Sequence, residues 1–307
     1  MFEAAYLSLL HSGELKRRIE AAYRRLEACD ICPRRCGFNR RNGELGTCRT
    51  GEQAVVSSVG PHFGEEAPLV GRGGSGTIFF TWCNLRCQYC QNYTISQLGE
   101  GDPISLEELA THMLSLQQRG CHNINFVSPT HVVPQILSAT LIAAQAGLCV
   151  PLVYNTGGYD SLETLALLDG VVDIYMPDMK YADAAVAERY SKVADYPAVN
   201  RAAVKEMQRQ VGDLVVDERG VALRGLLVRH LVLPEGLAGT VEVVRFLGDL
   251  SHNTYLNVME QYRPCYKAHA LPPFDRRITP AEYQEAVRLA HEAGLHRLDD
   301  RMRRWRI

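Results

Sequence analysis

The feature that most constrains the fold is an apolar run followed at once by three cysteines. Residues 77–82 read Thr-Ile-Phe-Phe-Thr-Trp, and Cys83, Cys87 and Cys90 follow in the pattern C-x3-C-x2-C. A run of β-branched and aromatic residues predicts a buried strand. The cysteines then lie on the loop at its carboxyl end, where parallel α/β folds place their chemistry. Three thiolates bind three irons of a cubane cluster and leave the fourth iron open to a small molecule. A zinc ion normally takes a fourth protein ligand, and none is adjacent here.

From residue 77 the chain alternates strand-like and helix-like segments about six times. Strands are predicted at 77–82, 123–127, 150–155, 172–177, 227–233 and 255–259. Helices are predicted at 12–28 and near 105–119, 132–146, 161–168, 182–191, 198–210, 240–250 and 279–293. Such alternation implies a parallel sheet with right-handed crossovers. We therefore predict an α/β fold, a partial (β/α)6 TIM-like barrel over residues 71–307, with an N-terminal cysteine-rich metal-binding extension over residues 1–70.

The extension carries a second group of cysteines. Cys29, Cys32, Cys36 and Cys48 follow the spacing C-x2-C-x3-C-x11-C on a segment rich in Gly and Asn. Such a segment has little core of its own, and a bound metal would supply the ordering energy that it lacks. Zinc and an auxiliary [4Fe–4S] cluster both accept four thiolates. The spacing therefore predicts a metal site and leaves the metal open, and reduced structural cysteines are the alternative.

Net charge and cysteine usage limit the binding partners and the cellular compartment that the sequence is compatible with. The formal net charge of −2 gives no electrostatic case for binding nucleic acid or an anionic membrane. Residues 1–6 lack the basic and apolar regions of a signal peptide, and no apolar run reaches the ~18 residues of a membrane span. We expect a cytoplasmic protein. Seven of its ten cysteines fall in the two groups, which in that compartment indicates metal or redox chemistry rather than disulfides.

The cysteine loop resembles the signature of the radical S-adenosylmethionine (radical SAM) superfamily, including the aromatic Tyr89 before the third cysteine. Residues 76–92 are similar to glycyl-radical-enzyme activases, closest to the branch named after pyruvate formate-lyase activating enzyme (PflX-like proteins). The stretch Cys-Pro-Arg-Arg-Cys-Gly-Phe-Asn-Arg at 32–40 resembles the N-terminal segment of that branch. The resemblance implies a [4Fe–4S] cluster on Cys83, Cys87 and Cys90 whose open iron chelates SAM. Reduction then cleaves SAM to methionine and a 5′-deoxyadenosyl radical, which abstracts hydrogen from a substrate.

The ends of three predicted strands are similar to the SAM-binding segments of the family. Strand two ends in Ser128-Pro-Thr130, where the family usually has Gly-Gly-Glu-Pro to bind the methionine amino group. The two hydroxyls either replace that motif or satisfy a turn. Strand three ends in Asn155-Thr-Gly, similar to the family's Thr-Asn-Gly. Strand four ends in Asp178-Met-Lys180, where the family has Asp-Leu-Lys; the lysine can pair with the SAM carboxylate, and a surface ion pair is the alternative.

The last two predicted strands supply the remaining candidates. Strand five carries His230 in a segment similar to one that places a histidine near the ribose of SAM in the family. Without the resemblance, a hydrogen-bonded core histidine is the default. Strand six ends in a polar run that includes Gln261, Tyr262 and Arg263. Polar groups are costly to bury without partners, so we assign these three residues to the substrate side.

Three functions are compatible with the sequence. The first is an activase that makes a glycyl radical on a partner enzyme, with an electron donor such as flavodoxin or ferredoxin. The second is a radical SAM enzyme that modifies a small molecule or peptide with the help of an auxiliary metal site. The third, a non-catalytic zinc or iron–sulfur scaffold, is disfavoured by the intact cysteine triad. The four-cysteine extension and the Ser-Pro-Thr segment indicate that this branch has diverged from other activases.

Overall fold

A computed structural model describes residues 2–299, and its centre is one open, mostly parallel sheet. The order of the strands across the sheet is β10-β9-β8-β6-β5-β4-β2-β1-β3, with β7 paired antiparallel to β8. The strands are β1 (Ala54–His62), β2 (Ser75–Phe80), β3 (Asp102–Ile104), β4 (Ile124–Val127), β5 (Leu152–Thr156), β6 (Ile174–Pro177), β7 (Val215–Val216), β8 (Ala222–Leu231), β9 (Tyr255–Met259) and β10 (Arg297–Leu298).

Six consecutive strands of this sheet, β2, β4, β5, β6, β8 and β9, are parallel. They correspond to the six predicted strands, so the α/β class and the partial barrel are confirmed. The short strand β10 adds a further parallel neighbour to β9, and β1 and β3 extend the opposite edge antiparallel. The strands β3 and β10 were not predicted, because two or three residues show no periodicity of their own, and the nine-residue strand β1 lies before the predicted barrel.

Helices cross between the parallel strands, as right-handed α/β connections require. They are α1 (Tyr6–His11), α2 (Glu14–Arg24), α3 (Ala67–Val70), α4 (Tyr93–Ser96), α5 (Leu106–Gln118), α6 (Val133–Gln145), α7 (Leu162–Leu168), α8 (Ala184–Ser191), α9 (Tyr196–Val211), α10 (Thr240–Leu250) and α11 (Pro280–Glu292). Ser105 and Thr279 close capping boxes at the starts of α5 and α11. No helix within residues 2–299 is long and apolar enough to cross a membrane.

The helix predicted over residues 12–28 is present as α2, with the shorter bounds Glu14–Arg24, and the preceding helix α1 was not predicted. The structure has two helices, α1 and α2, joined at Gly13, whose φ of 75° is left-handed and favours glycine. Both helices lie against the barrel rather than apart from it. The Tyr6 hydroxyl donates to the Val150 carbonyl at 3.1 Å, and the Asp173 carboxylate accepts the backbone N–H of Ala5 at 2.9 Å. Tyr6 and Leu15 belong to the same buried core as the barrel helices.

The short helix α3 lies within the barrel. Its Leu69 is buried together with Val153, Ile174 and Leu227, which come from three neighbouring parallel strands. The Asn123 amide donates to the Leu69 carbonyl at 2.9 Å. Side chains two residues apart on a strand share a face. Toward the carboxyl ends of the strands the inward positions become mostly polar: Asn155, Arg229 and Asn257 on β5, β8 and β9, and Asp178 just after β6.

Candidate active site

The three cysteines lie on the loop that leaves β2, as predicted. Two backbone bonds hold this loop against the end of α8, from Arg86 N to Ser191 O at 3.2 Å and from Gln88 N to Tyr190 O at 2.8 Å. Each thiol lies beside a polar group. The Leu85 N–H donates to Cys83 Sγ at 3.4 Å. Further contacts join Ser191 Oγ to Cys87 Sγ at 3.0 Å and Ser96 Oγ to Cys90 Sγ at 3.1 Å. Such contacts orient thiolate ligands and stabilise their charge.

The thiols are close enough to affect one another electrostatically. Burial, with the neighbouring Cys87 and Cys90, raises the pKa of Cys83 to about 12, although the Lys180 ammonium opposes the shift. Burial and Cys87 also raise the pKa of Cys90. A metal that binds these thiols must therefore displace their protons. Within residues 2–299 no three His, Cys, Asp or Glu side chains are set around a single metal ion. A cubane instead bonds each thiolate to a different iron, and three free thiols on one loop fit that donor set.

Beside the cysteine loop lies a buried group of charges at the carboxyl ends of β6 and β8. Lys180 Nζ is 2.6 Å from Asp178 Oδ2, and Arg229 Nε is 2.8 Å from Asp178 Oδ1. The second guanidinium nitrogen of Arg229 donates to Asn155 Oδ1 at 2.7 Å. The side chains of the Lys180–Asp178 pair are only 16% and 18% exposed, so the pair is not the surface ion pair considered as the alternative.

The electrostatics of this group favour binding an anion. Burial would raise the pKa of Asp178, but the cations of Arg229 and Lys180 outweigh it and lower that pKa. Burial would lower the pKa of Lys180, but the Asp178 carboxylate and the nearby Cys87 thiol raise it. All three groups are therefore charged at neutral pH. Glu65 and Glu66 also act on Arg229, so the cation that faces the cysteines is Lys180, whose ammonium suits a ligand carboxylate.

The segment after β4 has an unusual backbone. Ser128 has a φ of 59°, a left-handed conformation that costs a residue with a Cβ about 1–2 kcal/mol. The Thr130 hydroxyl donates to Asp160 Oδ1 at 2.7 Å and lies 3.0 Å from the Thr156 hydroxyl. Burial raises the pKa of Asp160, and the hydrogen bonds from the hydroxyl groups oppose that shift. Thr130 thus supports a buried carboxylate that sequence analysis missed. Its contact with SAM, and that of Ser128, stays a prediction.

A profile of the radical SAM superfamily matches residues 77–216, which include the cysteine loop and the charged group after β6. The chain belongs to the radical SAM superfamily. It is 33% identical over 309 residues to the uncharacterized protein MJ0674 of Methanocaldococcus jannaschii, covering 97% of this chain and 85% of the relative. It is 26% identical over 294 residues to the uncharacterized protein MJ0808 of the same organism, covering 87% of this chain and 78% of the relative.

A solved structure similar to this radical SAM protein is HydG, a maturase of the [FeFe]-hydrogenase. The TM-score is 0.50 at 13% sequence identity, and the match covers 71% of this chain and 49% of HydG. The chain therefore spans about half the length of HydG. At this identity the similarity is one of fold, and it agrees with a radical SAM barrel.

His230 of this radical SAM protein lies fully buried on β8. Its Nδ1 is 2.7 Å from the Met179 carbonyl, and its Nε2 is 2.9 Å from the Thr240 hydroxyl. Burial lowers the pKa of the imidazole. With both ring nitrogens bonded, His230 has the environment of a core histidine, and it fixes the backbone between Asp178 and Lys180. A contact with the ribose of SAM stays a prediction.

An aromatic cluster lies behind the cysteine loop. The Tyr89 ring centroid is 5.0 Å from that of Phe274 and 5.8 Å from that of Tyr262. The Tyr262 hydroxyl donates to the Phe274 carbonyl at 2.7 Å, and the residue is buried. Tyr262 therefore packs behind Tyr89 with its hydroxyl already bonded. Gln261 and Arg263 are exposed, and they line a cleft of about 780 Å³ together with Tyr262. The substrate contacts of all three remain predictions.

The N-terminal cysteine segment lies directly against the cysteine loop. Arg34 Nε donates to the Asn84 carbonyl at 2.6 Å, and the Arg86 guanidinium donates to the Thr47 carbonyl. Burial, together with the thiols of Cys48, Cys29 and Cys36, raises the pKa of Cys32 to about 12. The four cysteines are thus neighbours, and arginines link their segment to the loop that carries the other three.

Two acidic residues that sequence analysis did not single out lie within the barrel, just before α3. Glu65 Oε2 is 3.9 Å from an Arg229 guanidinium nitrogen. Glu66 Oε1 accepts a hydrogen bond from the Asn257 amide at 2.8 Å. Both glutamates are buried. The only sequence signal was a pair of carboxylates next to an apolar turn, a pattern that is usually exposed.

Proposed function

We propose that this radical SAM protein is an activating enzyme that abstracts hydrogen from a glycine of a partner glycyl-radical enzyme. It would take its electron from a donor such as flavodoxin or ferredoxin, in the cytoplasm. The observation that carries the proposal is the group of three free thiols on one loop beside the buried charged group of Lys180, Asp178 and Arg229. Resemblance to the activases of the pyruvate formate-lyase activating enzyme type supports the choice of partner.

The residues of this chain take distinct parts in that activity. Cys83, Cys87 and Cys90 would hold a [4Fe–4S] cluster, which with SAM supplies reductive cleavage of the sulfonium C–S bond and a 5′-deoxyadenosyl radical. Lys180 would bind the carboxylate of SAM, because its ammonium lies beside both the thiols and Asp178. The aromatic rings packed on Tyr89 exclude water from the back of the loop.

The cluster assignment is tested by anaerobic reconstitution and EPR spectroscopy. Reduced protein should give a [4Fe–4S] signal that changes when SAM is added. Cys83→Ala should lose reductive SAM cleavage, whereas Cys149→Ala, which changes an exposed cysteine outside both groups, should retain it. If Cys83→Ala cleaves SAM at the wild-type rate, the assignment is wrong.

The N-terminal cysteines are the second part of the proposal. Cys29, Cys32, Cys36 and Cys48 would share one metal centre, zinc or an auxiliary iron–sulfur cluster, that orders their segment; since no three of these thiols, all of which the structure describes, are set around a single ion, a zinc ion would have to draw them together. The alanine triple variant of the other site isolates this metal. About one zinc per chain indicates a structural site, and about four irons indicate an auxiliary cluster. Absence of both metals, with four thiols that alkylate freely in the native protein, would refute the shared site.

A small-molecule or peptide substrate is the second candidate function. The cleft lined by Gln261 and Arg263 favours it, because Gln91, which follows Cys90 in sequence, also lines this cleft and donates to the Gln261 carbonyl at 3.0 Å.

The two functions differ in their product. Reduced enzyme and SAM, mixed with each candidate partner, should give 5′-deoxyadenosine and a glycyl EPR doublet if it is an activase. Deoxyadenosine formation stimulated by a small molecule, with no protein radical, would favour the second function.

A further inference from the structure

The barrel interior contains a buried carboxylate of which only one oxygen accepts a hydrogen bond from the described residues. Glu66 is 3% exposed, and its Oε1 accepts the hydrogen bond from Asn257. Its Oε2 has no hydrogen-bond partner among residues 2–299. A carboxylate oxygen buried without a donor is costly, because water no longer solvates its charge. A group of this kind needs either an explanation or a ligand.

Glu66 lies at the deep end of a connected line of polar side chains. The line begins at Lys180 and Asp178, whose side chains are 16% and 18% exposed, and continues to Arg229, at 16%. From Arg229 it passes to Glu65, at 9%, and Glu66 is more buried still. Exposure therefore falls along one path from the cysteine loop toward α3. The apolar layer around Leu69 closes that path below.

The cations nearest to Glu66 are committed to other groups. Arg229 places one nitrogen on Asp178 and another on Asn155, and Lys180 bonds Asp178. The carboxylates of Asp178, Glu66 and Glu65 nonetheless raise the pKa of Arg229 against the effect of burial, so Glu66 faces this shared interior. The partner that Glu66 lacks is thus a positively charged donor.

A second buried acceptor on the inner wall lacks a partner. Asn125 Nδ2 donates to Ser75 Oγ at 3.2 Å, and Ser75 Oγ donates to Asn123 Oδ1 at 2.7 Å. Asn123 in turn bonds the carbonyl of Leu69 in α3, which places this chain of side chains inside the barrel. Asn125 Oδ1 has no partner within the described chain. The interior thus offers acceptors and a surplus carboxylate, and what it lacks is a cationic donor.

We propose that Glu66 anchors a cationic nitrogen of the substrate, an ammonium or a guanidinium, at the floor of the barrel. Its Oε2 accepts the N–H of that group, and Asn125 Oδ1 remains an acceptor for another polar group of the ligand within the barrel. The charge of the ligand compensates the buried carboxylate, and the hydrogen bond fixes the orientation of the substrate beneath the cysteine loop. The inference rests on the proposed function only in placing the substrate of this enzyme inside the barrel.

The test is calorimetric binding to the reconstituted enzyme with SAM present and oxygen excluded. The probes are N-butylguanidinium and its neutral isostere N-butylurea. Wild-type protein should bind the cation at least tenfold more tightly. Glu66→Gln should abolish this preference, since glutamine keeps the acceptor for Asn257 and removes the charge. Glu66→Asp keeps the charge and should keep a preference. Glu20→Gln, which removes an exposed negative charge on α2, should behave as wild type.

Two readouts separate this inference from its alternatives. Iron content and SAM affinity should be unchanged in Glu66→Gln, which shows that the lost binding is not a loss of the cofactor site. A tripeptide Gly-Arg-Gly and its citrulline analogue form a second arm. Tighter binding of the arginine peptide than of butylguanidinium indicates a polypeptide substrate, and the reverse indicates a small molecule.

Equal affinity of wild type for cation and urea, or an undiminished preference in Glu66→Gln, would overturn the proposal. Failure of SAM cleavage would refute the proposed function and leave this result intact.

Discussion

Replacing Lys180 by alanine tests the proposed SAM site most directly. Lys180 Nζ lies 2.6 Å from Asp178 in a setting that is only 16% exposed. A hydrogen bond to a charged group contributes about 1.5–3 kcal/mol. If Lys180 also binds the carboxylate of SAM, Lys180→Ala should weaken SAM binding by about 1–3 kcal/mol, which is roughly 5- to 150-fold. Asp178 keeps its ion pair with Arg229, so the fold should survive the change.

The assay is calorimetric titration of SAM into reconstituted protein under anaerobic conditions, with the iron content measured in the same samples. Lys192→Ala is the matched control, because Lys192 is an exposed lysine at the end of α8, beside the same loop. The control should bind SAM as wild type does. Unchanged SAM affinity in Lys180→Ala, at full iron content, would refute the reasoning and place the SAM carboxylate away from β6.

Three further changes have defined outcomes. Burial raises the pKa of Asp173 to about 7, above the value of about 3.9 in the unfolded chain, so the native state binds the extra proton between these two pH values. The free energy of unfolding should therefore fall by about 1.4 kcal/mol per pH unit between pH 5 and 7. Denaturant titrations of Asp173→Asn should lack this slope. Ser128→Gly should raise the free energy of unfolding by about 1 kcal/mol in the same titrations, because glycine tolerates the φ of 59°. Arg40→Lys should speed alkylation of Cys29, measured by mass spectrometry, because buried Arg40 bonds the carbonyls of Gly51 and His131 and touches that thiol.

The parallel strands were predictable because each is a short apolar run with a helix before the next. The bounds of the central strands shifted by one or two residues in most cases, and the cysteine loop lies where the apolar run predicted it. The helix α1 was missed because six residues are too short to show a helical period, whereas α2 was predicted from the apolar spacing of its residues. The helices predicted near 105–119 and 279–293 begin where expected, at Ser105 and Thr279, and the capping box that starts each of them is local in sequence.

The roles of single polar side chains were harder to predict, since they depend on partners far away in sequence. Glu66 is buried because Asn257, 191 residues away, donates to it, and no local pattern shows such a pairing. His230 matched a family motif, yet its partners Met179 and Thr240 give it a structural setting. Tyr262 stands in a polar run, but its hydroxyl bonds Phe274. Sequence motifs located the site, and tertiary contacts decided which of its residues face the interior.

The two cysteine groups are physically coupled, which bears on what the N-terminal metal would do. The segment at residues 29–48 forms a loop with a single short 3₁₀ turn, Arg40–Asn42, so its order depends on attachments rather than on a core. Arg34 of this segment donates to the Asn84 carbonyl beside Cys83, and Arg86 of the cysteine loop donates to the Thr47 carbonyl beside Cys48. A metal that orders this segment would hold Arg34 against the Asn84 carbonyl and so stiffen the backbone next to Cys83. Whether that metal is zinc or iron–sulfur, its binding energy contributes to the geometry of the cysteine triad as well as to its own site.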